Sequence, residues 1–231
     1  MRRITLVLFV LLLAAGCGST RSGGPTAPTT TAPPPASTSL PPTRLTIFRV
    51  AGGDLRAESV SVPHTTSVAG ASLRALGLDA SVTIAGGTAS VTLPHATPAQ
   101  VAEIVYTLTQ YPTVRRVNVG GRTGLTRADV ESFAPAILIE SPAAGAAVPG
   151  TFRVSGSASV FEATFVLELV VGGKVETRQT VTASTGAPER GGFDATVRSH
   201  AIGPASLVAF APSAEDGAPQ HRVEVPVTIR P

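Results

Sequence analysis

Apolar and polar positions change rhythm several times along these 231 residues. From Ile4 to Leu13 nearly every side chain is apolar. From Gly18 to Thr43 almost no large apolar side chain occurs. Beyond that point, short runs that alternate apolar and polar residues dominate, which is the rhythm of strands, and one run with a 3.6-residue period interrupts them.

Leu45–Val50 reads as a strand, Gly52-Gly53-Asp54 as a turn, and Leu55–Val62 as the returning strand. Val68–Leu76 predicts a short helix that stops near Gly77. In the next hairpin, Val82 and Ile84 alternate with Ser81 and Thr83, Gly86-Gly87 turn the chain, and Ala89, Val91 and Leu93 alternate with Thr88, Ser90 and Thr92. The clearest helix follows. Thr97 is a natural N-cap, Pro98 suits the first helical position and Gln100 completes a capping box. Val101, Ile104, Val105 and Leu108 share one face, and Pro112 ends the run. Val117 and Val119 begin a last strand. The order β-β-α-β-β-α-β over 45–122 predicts an α+β two-layer domain, one sheet with both helices on the same face.

Residues 123–135 read as a packed linker, with Thr126–Asp129 capping a short helix through Phe133 and Pro135 stopping it. From 136 to 231 the pattern is almost all strand. Phe161, Ala163, Phe165, Leu167, Leu169 and Val171 fall on one face of a long predicted strand, with Glu162, Thr164 and Glu168 on the other. Gly172-Gly173 turn the chain into Lys174–Ala183. Phe193, Ala195 and Val197 alternate with polar neighbours, Leu207–Phe210 is a further run, and Asp216-Gly217 make another turn. Val223, Val225, Val227 and Ile229 alternate strictly, with Pro226 marking an edge position. With Ile137–Glu140 and Phe152–Ser157 this predicts an all-β, immunoglobulin-like sandwich of about seven strands. It lacks the Cys…Trp…Cys set of antibody domains, so apolar packing must join the sheets.

Two stretches resemble known families. Leu45-Thr-Ile-Phe-Arg-Val50, the Gly-Thr-Ala-Ser-Val-Thr-Leu segment at 87–93, Tyr106-Thr-Leu-Thr109 and Val114-Arg-Arg-Val-Asn-Val119 resemble the GerMN domain of sporulation and spore germination. In the C-terminal part the resemblance is to Gmad2, an immunoglobulin-like spore-germination module. It is carried by Ser141-Pro142 with Gly145 and Val148, by Gly156-Ser-Ala-Ser-Val-Phe-Glu-Ala163, by Ala183-Ser-Thr-Gly-Ala-Pro188 with Gly191-Gly-Phe193, and by Ser213-Ala-Glu-Asp-Gly217. Together the resemblances imply an actinobacterial-type lipoprotein whose modules assemble with other proteins and carry out no chemistry.

The N-terminus adds an anchor to this picture. Arg2 and Arg3, the apolar run Ile4–Leu13 and the small residues Ala14-Ala15-Gly16 before Cys17 form a secretory leader over 1–16. As a helix the apolar run covers about 15 Å, half of a ~30 Å hydrocarbon core, too short for a permanent span. The pattern resembles a bacterial lipobox, which implies that the Cys17 thiol takes a diacylglycerol and that the mature chain begins there. Cys17 is the only cysteine, and a capped thiol is no liability in an oxidising compartment. Residues 17–44 then read as the lipidated cysteine and a disordered Thr/Pro-rich tether of up to ~80 Å, with O-glycosylation as a further hypothesis. The expected location is the extracytoplasmic face of the cell membrane, held by the lipid.

Composition excludes several functions. Removing Arg2 and Arg3 with the leader leaves 16 basic and 15 acidic residues, a net +1 with no basic stripe, so nucleic acid is not an expected partner. There is no Trp and there are two Tyr, which disfavours sugar or base stacking. Nucleophile elbows, P-loops, dinucleotide glycine patterns, HExxH and EF-hand loops are missing, and the glycine pairs are hairpin turns. His64, His95, His200 and His221 stand singly, and Glu162 has no carboxylate near it in sequence. The expectation is a protein that is not an enzyme, with no catalytic residues, no metal and no cofactor. It would act as a membrane-anchored interaction or assembly module with an envelope protein partner. The alternative is a lipoprotein that contacts peptidoglycan or another glycan through sandwich loops.

Overall fold

The computed structural model describes residues 40–231. The leader, Cys17 and all but the end of the tether lie outside the described residues. The N-terminal α+β part opens with β1 (Thr43–Ala51) and β2 (Asp54–Val62), an antiparallel hairpin whose turn, Gly52-Gly53, has φ of 65° and 96°. Only glycine takes two such values in succession without strain. Then come α1 (Val68–Ala75), β3 (Ser81–Ala85), β4 (Thr88–Thr92), α2 (Pro98–Thr109), β5 (Arg116–Val119) and β6 (Arg122–Leu125). The capping box of α2 is formed: Gln100 N–H donates to Thr97 Oγ1 (3.2 Å) and Thr97 N–H donates to Gln100 Oε1 (2.9 Å). β4 and β5 are parallel, with α2 as their crossover.

The strands make two sheets here where the alternation predicted one: β1-β2, and β3-β4-β5-β6. Helix α2 is the reason, because it occupies the edge of β1 where another strand would pair. Phe48 N–H donates to Thr107 Oγ1 (2.9 Å), Val50 N–H donates to Glu103 Oε1 (2.9 Å), and Gln110 Nε2 donates to the Thr46 carbonyl (2.9 Å). Residues 46, 48 and 50 turn their backbone groups to one side, and residues 103, 107 and 110 rise along one stripe of the helix. Three side chains thus satisfy an edge that would otherwise invite a foreign strand. The helix is consequently buried on every side from Val101 to Leu108, including Glu103 and Thr107, which its apolar stripe placed outward. Thr107→Val keeps the side chain's size and removes the acceptor for Phe48 N–H. It is expected to cost about 1–3 kcal/mol in urea unfolding with an unchanged m-value.

The joint is not a bare connection. Its first residues form β6, paired with β5, and Arg127–Phe133 make a 3₁₀ segment whose Val130 enters the core of the α+β part. The sandwich follows as β7 (Ile137–Ser141), β8 (Ala146–Val148), β9 (Thr151–Ala158), β10 (Thr164–Val171), β11 (Lys174–Thr182), β12 (Gly191–Arg198), β13 (Gly203–Pro212) and β14 (Pro219–Ile229). One sheet has the order β11-β10-β13-β14-β8 and the other β12-β9-β7. Val154, Phe165, Leu167, Leu169, Leu207 and Ile229 lie between them, and Phe165 meets Phe193 edge-on across the layers at 4.9 Å. β8 pairs only with Val227–Ile229, so Pro226 stands where β14 has no second strand beside it.

The expected start of β10 is corrected. Phe161–Ala163 is a 3₁₀ turn and not strand, and Phe161 is 72% exposed. The alternation carried Phe161 into phase with Phe165, but Glu162 and Ala163 adopt φ of 53° and 57°, which rotates the chain out of register. Val160 is buried instead, and its carbonyl accepts from Ala163 N–H and Ala187 N–H. Glu168 lies on the face away from Leu167 and Leu169, as the alternation predicts, and is buried there by its pair with Arg178, directly opposite on β11.

β7 joins the two parts. Leu138 belongs to the core of the α+β part, while Ile137 and Ile139 belong to the sandwich core. A strand shows alternate residues to opposite faces, so one short strand serves both. Residues 40–231 accordingly form one compact unit.

Candidate functional site

Two arginines hold the joint. Arg127 lies in the 3₁₀ segment. Its Nη1 donates to both oxygens of Glu140 on β7 (2.9 and 2.8 Å), and its Nε donates to Thr109 Oγ1 at the end of α2 (3.0 Å). The guanidinium sits 4.7 Å from the centre of the Tyr106 ring and 5.8 Å from that of Phe48, a cation–π arrangement. Arg190 reaches back from the loop before β12. Its Nε donates to Glu131 Oε1 (3.1 Å), and its Nη2 donates to the carbonyls of Pro135 (2.9 Å) and Ala134 (3.3 Å). These donors are directed at carboxylates and carbonyls of the same chain, so both residues act as structural fasteners.

Burial pushes the Tyr106 phenol above its ordinary pKa, against the pull of Arg190 and Arg127. A raised folded value favours the neutral ring. Its contribution to stability is therefore present below the ordinary tyrosine pKa and is lost as pH rises through the folded one.

Beside this joint lies a cleft of 410 Å³. One wall is β2 from Asp54 to Glu58, the other is β14 from Arg222 to Pro226, and Ile137–Ile139 of β7 form the floor. Among the charges that line it, Arg222 pairs with Glu224 (3.1 Å) and Glu58 with Arg49 of β1 (3.2 Å), while the exposed Asp54 and Arg56 make no ion pair among the described residues. The Ser206 hydroxyl and Arg222 hold the Glu224 carboxyl below its usual range. The cleft thus offers two strand edges and an apolar floor, and no grouping of nucleophile, base and acid.

The residues singled out in the sequence are scattered. Cys17 lies outside the described residues, and His64, His95, His200, His221 and Glu162 are exposed. Among the described residues no three His, Cys, Asp or Glu side chains gather at ligand distance. Sequence reasoning missed Arg127, Arg190 and the cleft. Glu140, a carboxylate closing the apolar run Ala136–Ile139, is the one local signal that a cation partner was needed.

No curated protein matches the chain. A crystal structure described as an engineered protein aligns over 57% of this chain with a TM-score of 0.31 and 14% identity, and the chain covers 36% of that protein's length. Residues 136–218 match the family model of Gmad2, the immunoglobulin-like domain of bacterial spore germination.

Proposed function

We propose that the chain is a non-catalytic lipoprotein of the cell envelope, anchored to the outer face of the membrane through Cys17, and that its folded part is an assembly module for an envelope protein partner. The Gmad2 match carries this reading. It relates the sandwich to spore germination, and Gmad2 is an immunoglobulin-like family and not a known family of enzymes. The reading also draws on the leader pattern before Cys17 and on the resemblance of 45–122 to GerMN, which rests on the residues quoted above. The fasteners at the joint support it physically. Arg127 and Arg190 hold two surfaces in a fixed relation, as a module that positions partners requires.

The lipid anchor has a direct test. In cells fed a clickable fatty acid, the parent chain is expected to carry label and to sediment with membranes. Cys17→Ser is expected to lose the label and be released, since the acyl chains supply ~0.8 kcal/mol per buried CH₂. Label that survives the substitution overturns the anchor. In-cell crosslinking that recovers no reproducible envelope partner overturns the assembly role.

A further inference from the structure

We infer that β3 pairs edge to edge with β3 of a second copy of this chain, antiparallel about a two-fold axis at Thr83, which joins two four-stranded sheets into one. This goes beyond the reading above, because it concerns self-association and not the envelope partner.

β3 is the terminal strand of the sheet β3-β4-β5-β6, and among the described residues β4 is the only strand beside it. The other described edges are guarded. Side chains of α2 close β1. β2, β6, β7, β11 and β12 each contain charged residues, and β8 is three residues long. β3 is Ser81-Val82-Thr83-Ile84-Ala85, with no charge and no proline, and its pairing with β4 is regular throughout. Val82 is half-buried and the other four residues are exposed, so the strand is accessible along its length.

The hairpin fixes which backbone groups face out. Gly86 and Gly87 have φ of 56° and 79°, a two-residue turn that makes its flanking residues, Ala85 and Thr88, a hydrogen-bonded pair. Thr83 and Ser81 bond to β4 in the same way, so Val82 and Ile84 turn their N–H and carbonyl groups to the open edge. No backbone hydrogen bond from another described segment reaches those two residues. In the two-fold register Val82 stands opposite Ile84 of the second copy, twice, and each pair exchanges two backbone bonds. Thr83 stands opposite Thr83 of the second copy as the closely spaced, non-hydrogen-bonded pair. The edge is its own complement.

The side chains agree. Val82 and Ile84 share a face with Ala89 and Val91 of β4, which are buried. The helix layer ends short of β3: Ile84 is 44% exposed, and beside it lies a groove of 450 Å³ lined by Val68, Val82, Ile84, Tyr111 and Pro112. Val82 of the second copy covers Ile84, a favourable β-branched pair, and Thr83 meets Thr83 on the other face. The same register brings Asp79 of one copy to the Gly86-Gly87 turn of the other. Arg115 stands there, its N–H donating to the Gly87 carbonyl at 2.8 Å. Asp79 and Arg115 are exposed and make no ion pair among the described residues, so charges of opposite sign flank the pairing on both sides. The interface is small, and the pairing is therefore reversible.

The test traps it in cells that make the full chain. Thr83→Cys places two thiols on Cα atoms about 4.5 Å apart, within the range a disulfide bridges. With diamide as oxidant, its disulfide-linked dimer is expected to be at least about tenfold more abundant than that of Ser81→Cys, of Ser90→Cys, or of the parent, whose Cys17 sets the background. Two Ser81 residues lie about 13 Å apart in this register, too far to bridge. Ser81→Cys and Ala85→Cys chains made together are expected to cross-link to each other, because those positions face across the axis. Adding Ile84→Lys to Thr83→Cys should lower the dimer at least about tenfold. The Tm of the reduced protein should stay within about 2 °C, because Ile84 is exposed in the single copy. Thr83→Cys dimers no more abundant than those of Ser90→Cys, or undiminished by Ile84→Lys, overturn the pairing. Thr83→Cys joined to another protein in place of its own copy overturns the second copy as the occupant.

Discussion

Gly156→Ala is expected to lower the Tm by about 10 °C or more, a loss of at least about 3 kcal/mol. Gly156 lies in β9, between Phe193 of β12 and Ile139 of β7. A β-carbon there would drive into the Leu138 carbonyl and stand 2.9 Å from Cζ of Phe193. The carbonyl belongs to the backbone of β7 and cannot swing aside. Phe193 is held edge-on against Phe165, so its displacement opens the contact between the two sheets. Relief therefore requires strands to separate, and β7 is the strand that serves both cores. Gly192→Ala is the control. Its β-carbon would meet nothing nearer than the Gly156 carbonyl at 3.9 Å, ordinary van der Waals contact, and the Tm should move by no more than about 2 °C. Equal effects from the two substitutions, measured by calorimetry, would contradict the packing argument.

Arg127→Met is expected to cost about 2–4 kcal/mol. The replacement keeps an apolar stem over Tyr106 but removes the bonds to Glu140 and Thr109 and the cation over the ring. Glu140 would be left as a carboxylate only 20% exposed in its side chain, without its partner, which is the expensive way to break a pair. The partial exposure of both groups keeps the figure below that of a fully buried pair. Glu140→Gln in the same chain should recover part of the loss, because the unpaired charge is then gone. In a double-mutant cycle a coupling of at least about 1 kcal/mol is expected. Losses that simply add would mean that the pair does not fasten the joint.

Much of the architecture was legible locally. Gly86-Gly87 and Gly172-Gly173 sit between alternating runs, and each is a hairpin turn with positive φ at both residues. Thr97, Pro98 and Gln100 start α2 where their chemistry predicts. These signals survive because they depend on neighbours within a few residues. The readings that changed depend on distant ones. Thr107 and Glu103 look like the solvent side of an amphipathic helix until the edge of β1, more than fifty residues earlier, supplies donors for them. Phe161 keeps perfect alternation with β10, and only the left-handed turn at Glu162 and Ala163 takes it out of the core.

The candidate site was the least legible part. Its walls come from residues 54–58 and 222–226 and its floor from 137–139, three segments with no shared pattern. Arg127 and Glu140 are 13 residues apart, at no helical or strand spacing, and Arg190 meets Glu131 across 59 residues.

By itself the amino-acid order determined the strands, the main helix, the two-part α+β and sandwich organisation and the Gmad2 resemblance, because turn chemistry and hydrophobic period are short-range properties. Tertiary structure alone decided which strand edges are closed and by what. α2 seals β1, and Ala144 pairs with β2 at Ala57 and Ser59. Backbone hydrogen bonds carry no side-chain identity, so the residues that satisfy an edge, or leave it unsatisfied, are set by where the folded chain brings them.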